Sequence, residues 1–168
     1  MLIHVCPLSQ VPAAVAAVNA SHLVSLLDRG TPVPTPPSIA RENHLFIGVN
    51  DICDPTEGLC HPCEEHIEVL LDFVRGWPQR QAIVIHCYAG ISRSTAAAFA
   101  TACLLRPERS ERDIARALRA ASPTATPNAR IVALADRALG REGRMIEAVA
   151  EIGRGVTAYE GVPFSLRL

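Results

Sequence analysis

The chain has 168 residues, 49% of them hydrophobic and 20% charged, with a formal net charge of −1. These values fit one globular unit with a real core and exclude a disordered chain. They offer no basic excess to hold a nucleic acid or an anionic membrane.

Aromatic residues make up only 4% of the chain, so aliphatic residues and alanine must fill the core. The six cysteines are an even number, but the chain is longer than a small disulfide scaffold. Met1 to Cys6 is too short, and too polar at His4, for a signal segment. No run approaches the length of a membrane span. Free thiols in a reducing cytoplasm are therefore expected.

Leu2 to Val5, closed by Pro7, reads as a first strand. Ser9 is placed to cap a helix that starts near Val11 and continues to Ala20. His22 to Leu27 is a second strand candidate, and the four prolines of residues 31–38 mark an irregular connector or a rim. His44 to Asn50 is a third strand, with Asp51 just past its end. Ile67, Leu70, Leu71 and Val74 recur at helical spacing, and Gly76 and Pro78 end that helix. A helix from Ser92 to Leu105 is stopped by Pro107. Ser110 with Asp113 resembles a capping box before a helix through Ile114 and Leu118. Asn128 is placed to cap a helix carrying Ile131 and Leu134, and a last helix runs from Glu142 to Ile152. Residues 153–168 show no period and are expected to be irregular. Strands alternate with helices, which predicts an α/β domain: a mostly parallel sheet of four to five strands flanked by helices on both faces. Ligands in such sheets bind at the carboxyl ends of the strands.

The chain is organised around residues 82–94. An apolar run from Ala82 to Ile85 leads into His86-Cys87, then Tyr88-Ala89-Gly90-Ile91-Ser92, then Arg93-Ser94 and a helix. A phosphate dianion needs converging donors. The N–H groups of Tyr88, Ala89, Gly90, Ile91, Ser92 and Arg93, feeding a helix N-terminus, would supply them. Gly90 admits a backbone conformation that a Cβ would obstruct, and Arg93 offers a bidentate fork that lysine lacks. The same field favours a nucleophilic thiolate at Cys87. His86 is placed to order the cysteine backbone, and Ser94 to donate its hydroxyl to the sulfur.

At His86-Cys87-x5-Arg93-Ser94 the sequence resembles the cysteine-based protein tyrosine phosphatases, in their dual-specificity branch, and more closely still a group of small bacterial tyrosine-phosphatase-like proteins. Val49-Asn50-Asp51 stands where that family carries its general acid, and Pro127-Asn128 resembles the pair that opens a helix after the signature. The resemblance is strongest over residues 40–140, and one phosphatase-like domain spanning 1–168 is expected. It implies a phosphomonoester hydrolase: Cys87 is the nucleophile, Arg93 and the loop amides stabilise charge, Asp51 is acid and base, Ser94 aids the second step, and His86 and Asn128 support the site. It implies no metal or other cofactor. The substrate would be a phosphorylated protein or a small phosphoester. Asp54, before Pro55, competes with Asp51. The signature interior holds no lysine, unlike relatives that act on inositol phospholipids.

Three other readings compete. Cys53, Cys60, His61, Cys63 and His66 are zinc-ligand types at partial zinc spacing. A phosphatase fold can also bind phosphorylated partners without turnover, and a sulfurtransferase likewise uses a strand-end cysteine in an anion loop. Oxidation of Cys87 with Cys6, Cys53 or Cys103 as resolving thiol is a further hypothesis. Arg106, Arg109, Arg112, Arg116 and Arg119 read as a solvated helix face.

Overall fold

The computed structural model describes residues 2–167. Among the described residues, five strands, β1 (Ile3–Pro7), β2 (His22–Leu27), β3 (His44–Gly48), β4 (Ile83–Cys87) and β5 (Phe164–Leu166), form one sheet in the order β3-β2-β4-β1-β5. The first four are mutually parallel, and β5 runs antiparallel to β1. The three inner strands are buried along their whole length. This explains why they read as continuous apolar runs rather than alternating ones.

Six α-helices among the described residues cover the sheet: α1 (Val11–Ala17), α2 (Glu64–Gly76), α3 (Arg93–Leu105), α4 (Glu111–Ala121), α5 (Ala129–Ala138) and α6 (Arg144–Ile152). One core lies between the sheet and α2 to α6. The other is smaller and joins Val11, Ala14 and Val15 of α1 to Cys6, Leu23 and Val84. α2 buries Ile67, Leu70, Leu71 and Val74, the stripe its period predicts. α3 is different. Every residue from Arg93 to Cys103 is buried, because it lies between the sheet and α5, and its alanines allow that close approach.

Several expectations need correction. Ser9 does not cap α1; its hydroxyl donates to Glu160 Oε1 at 2.8 Å. α1 stops at Ala17, and Asn19 then takes a positive φ of 49°. β3 ends at Gly48, two residues short of Asn50. β4 extends through Cys87, so the cysteine is the last strand residue and pairs in register with Pro7. The tail is not wholly irregular: β5 closes the edge of the sheet beside β1, with His4 paired to Ser165. The arginines of α4 do form the expected solvated face, with Arg112 and Arg116 largely exposed. Arg112 and Arg116 pair with Glu147 and Glu151, and Arg119 donates to the carbonyls of Pro123 and Gly153.

Candidate active site

The carboxyl end of β4 delivers Cys87 to the floor of a loop that closes at the N-terminus of α3. Cys87 is buried, and its Sγ lies 3.1 Å from the Ser94 hydroxyl. Four of the loop carbonyls are tied to backbone N–H groups. Tyr88 O accepts from Leu8 N–H, Ala89 O from Gly161 N–H, Ile91 O from Thr126 N–H, and Ser92 O from Ala96 and Asn128 N–H. In a trans peptide the C=O and the following N–H point in opposite directions. Holding these carbonyls outward therefore turns the N–H groups of Ala89, Gly90, Ser92 and Arg93 toward the loop interior. None of these N–H groups donates to another described backbone group outside the regular elements. Such inward-facing backbone donors, continuous with the positive end of α3, form a cradle of the kind that could receive an anion.

Gly90 has φ +71°, and a Cβ there would lie 2.8 Å from Pro7 N and 2.9 Å from Cys6 C. The loop folds directly onto the end of β1, and only glycine fits at that point.

Arg93 is buried, and its position is set by two partners that sequence reasoning missed. Nη1 donates to Asp28 Oδ1 at 3.0 Å and to Val49 O at 2.7 Å, while the buried Nε has no partner among the described residues. Asp28 follows β2 and Val49 follows β3, so the two neighbouring strand ends fix one edge of the guanidinium. The Nε edge is the one that could meet an oxyanion. The Tyr88 ring sits 5.2 Å from the guanidinium carbon, within cation–π range, and its hydroxyl meets Thr31 Oγ1 at 2.7 Å. The proline-rich connector thus does reach the rim.

Asp51 and Asp54 differ in their surroundings. Asp51 Oδ1 accepts from Ser92 Oγ at 2.7 Å and from Asn128 Nδ2 at 2.8 Å, which docks the carboxylate against the cradle. Both residues are exposed, but among the described residues no side chain bonds to the Asp54 carboxylate, and the Thr56 hydroxyl bonds to the Asp54 backbone carbonyl instead. Asn128 does two things at once. Its Oδ1 caps α5 by accepting from Arg130 and Ile131 N–H, while its Nδ2 holds Asp51. Beside Asp51 opens a groove of about 710 Å³, lined in part by Ile91, Pro127, Val149 and Val156.

His86 is fully buried, and burial pushes its imidazole down to about 4, so the ring is neutral at physiological pH. All six cysteines are unpaired. Burial pushes the thiols of Cys6 and Cys103 up to about 12. In the cysteine-rich segment, the Cys63 thiol lies 3.1 Å from His66 Nδ1 and the pair caps α2. Among the described residues, no three His, Cys, Asp or Glu converge as metal ligands.

No protein-family model matches the sequence, and no curated relative matches it. Solved structures do match. The PTP-2 phosphatase of Cydia pomonella superposes with a TM-score of 0.63 at 18% identity, over 80% of this chain and 84% of that one. Human DUSP28 gives 0.62 at 17% identity, over 89% and 94%. The Yvh1 phosphatase domain from Chaetomium thermophilum gives 0.59 at 19% identity, over 85% and 93%. The fold is that of the dual-specificity phosphatases. At these identities the likeness concerns the fold, and the chemistry rests on the loop described above. Among the described residues, no helix is long and apolar enough to cross a membrane.

Proposed function

We propose that the protein is a phosphomonoester hydrolase of the tyrosine or dual-specificity type, acting through a phosphocysteine. One observation carries this reading: a cysteine, a ring of unused amide donors, a free guanidinium edge and a docked carboxylic acid meet at a single loop.

In the first step the Cys87 thiolate attacks phosphorus and the ester P–O bond breaks. Asp51, protonated at the start, gives its proton to the departing oxygen. The loop N–H groups and Arg93 hold the three non-bridging oxygens, whose charge must be stabilised in the transition state. In the second step the Asp51 carboxylate takes a proton from water, the oxygen attacks phosphorus and the P–S bond breaks. The Ser94 hydroxyl then donates to the departing sulfur, in keeping with its 3.1 Å contact. His86 and Asn128 hold the parts in place. No metal or organic cofactor enters any step.

A phosphorylated protein or small phosphoester is the substrate class. The groove beside Asp51 is where its leaving group would lie. One structural relative, PTPMT1, has been solved in complex with PI(5)P. Here the cradle interior holds no lysine, which favours a less highly charged substrate. The unpaired thiols and net charge of −1 suit a soluble protein of a reducing cytoplasm with no nucleic-acid or membrane partner. The deciding experiment is turnover of an aryl phosphate by wild type and Cys87→Ser. Turnover lost in the variant is expected, with a phosphoenzyme trapped on Cys87 by acid quench. A wild-type protein that binds vanadate but turns over no phosphoester would favour the binding module instead. Rhodanese-type transfer from thiosulfate to cyanide would point to a sulfurtransferase.

A further inference from the structure

The floor of the cradle is joined to the protein surface by a chain of four side chains. Thr35 Oγ1 lies 2.8 Å from His44 Nδ1, His44 Nε2 2.8 Å from Ser25 Oγ, and Ser25 Oγ 2.6 Å from His86 Nε2. His86 Nδ1 then faces the Cys87 carbonyl at 3.5 Å. Ser25 and His86 are fully buried, and Thr35 belongs to the proline-rich connector.

The directions of these bonds follow from donor counting. A carbonyl only accepts, so His86 Nδ1 must carry the hydrogen. His86 is neutral, so its Nε2 is an acceptor, and Ser25 must give it its one O–H. Ser25 then accepts from His44 Nε2–H. A neutral His44 is left with Nδ1 as acceptor, filled by the Thr35 hydroxyl. Every link is used once, and one self-consistent arrangement results. Protonation of His44 would leave its Nε2–H donor in place, so the part of the chain that reaches His86 does not depend on that ring's charge.

The carbonyl at the end of the chain explains what this accomplishes. The carbonyls of Tyr88, Ala89, Ile91 and Ser92 are turned outward by backbone partners. Cys87 O is turned outward by His86 instead. Its peptide partner is the Tyr88 N–H, the first donor of the cradle and the one next to the sulfur. We infer that Ser25 and His44 are positioning residues: through the tautomer and ring orientation of His86 they aim the Tyr88 N–H and the Cys87 backbone into the oxyanion cradle. The inference rests on the proposed reading of Cys87 as nucleophile, but its tests below read the anion site directly.

The first test is 15N–1H NMR of histidine-labelled protein at neutral pH. The expected result is His86 as the Nδ1–H tautomer and His44 as the Nε2–H tautomer. The opposite tautomer at His86 overturns the inference without any variant being made. The second test compares Ser25→Ala, His44→Phe and His44→Gln by circular dichroism, thermal melting and vanadate affinity. Glutamine places an N–H where Nε2–H stood, and phenylalanine does not. A misdirected amide donor to an oxyanion should weaken vanadate binding by about tenfold in Ser25→Ala and His44→Phe. His44→Gln should recover most of it. Folded Ser25→Ala and His44→Phe proteins with wild-type vanadate affinity would overturn the inference. So would His44→Gln and His44→Phe losing affinity equally. If Ser25→Ala does not fold, the His44 pair and the tautomer still decide. A wild-type protein with the expected tautomers and vanadate response but no turnover would refute the hydrolase reading and leave the positioning role standing.

Discussion

Gly90→Ala tests how tightly the cradle is built against β1, and Gly58→Ala supplies its control. Both glycines have a left-handed backbone, with φ +71° at Gly90 and +75° at Gly58. Both substitutions therefore carry the same conformational cost, about 1–2 kcal/mol for an L-residue held there. They differ in what the new methyl meets. At Gly58 nothing lies within 4 Å, whereas at Gly90 the Cβ falls 2.8 Å from Pro7 N, 2.9 Å from Cys6 C and 3.1 Å from Cys6 O. All three are backbone atoms of a buried inner strand, so no rotamer change relieves the contact. Forcing a methyl into a packed interior typically costs about 1–3 kcal/mol more. Gly90→Ala should thus lose roughly 2–5 kcal/mol in all, against about 1–2 for Gly58→Ala. At roughly 2–4 °C per kcal/mol for a chain of this size, the two melting temperatures should separate by several degrees. Whatever strain is not expressed as unfolding must displace the loop, so turnover and vanadate affinity should also fall in Gly90→Ala and not in Gly58→Ala. The assay is paired thermal denaturation and aryl phosphate kinetics. Equal melting temperatures with equal activity would refute the account of the loop as pressed onto β1.

Three further outcomes are expected. Asp51→Asn should lower kcat by about 10²-fold or more, as loss of a general acid does, while Asp54→Asn should change it little; the reverse ranking would reassign the acid. Asn128→Ala should lower kcat for an alkyl phosphate more than for an activated aryl phosphate, because only the poorer leaving group needs the proton donor that Asn128 Nδ2 holds, and equal losses would show that only the α5 cap mattered. Brief iodoacetamide treatment at about pH 8, near the ordinary thiol range, should label the exposed Cys53 and spare Cys6 and Cys103, whose thiols sit near 12, as mass spectrometry of the tryptic peptides will show.

Stability should also depend on pH in a predictable direction. The folded His86 titrates near 4 rather than 6.5, so between these values the unfolded chain binds the extra proton. The full contribution is present above about 6.5 and is lost as pH falls toward 4, by on the order of 3 kcal/mol. Burial lowers His4, His22 and His44 as well, which acts in the same direction. Urea midpoints that stay flat from about pH 7 to about pH 4 would contradict this.

Some of this protein was legible in the chain itself. Period and apolar run length placed the first four strands and all six helices, because each buries a stripe or a continuous face that its own residues must provide. Spacing placed Cys87, Arg93 and Ser94 on one loop, since a strand end, a tight turn and a helix N-terminus are local structures. Other features depend on partners distant in sequence. β5 has three residues and no pattern of its own, and it exists because β1 leaves an edge to be paired. Asp28 and Val49 anchor Arg93 only because β2 lies beside β4 and β3 beside β2, so that their ends share one rim. The sequence favours Asp51 over Asp54 for its place directly after a strand, but its docking by Ser92 and Asn128, 41 and 77 residues away, exists only in the tertiary structure. The bonds that join Ser25 and His44 to His86 run across neighbouring strands of the sheet. Local pattern specifies the elements and the Cys87–Arg93 loop, while the convergence of strand ends decides which distant groups hold that loop in place.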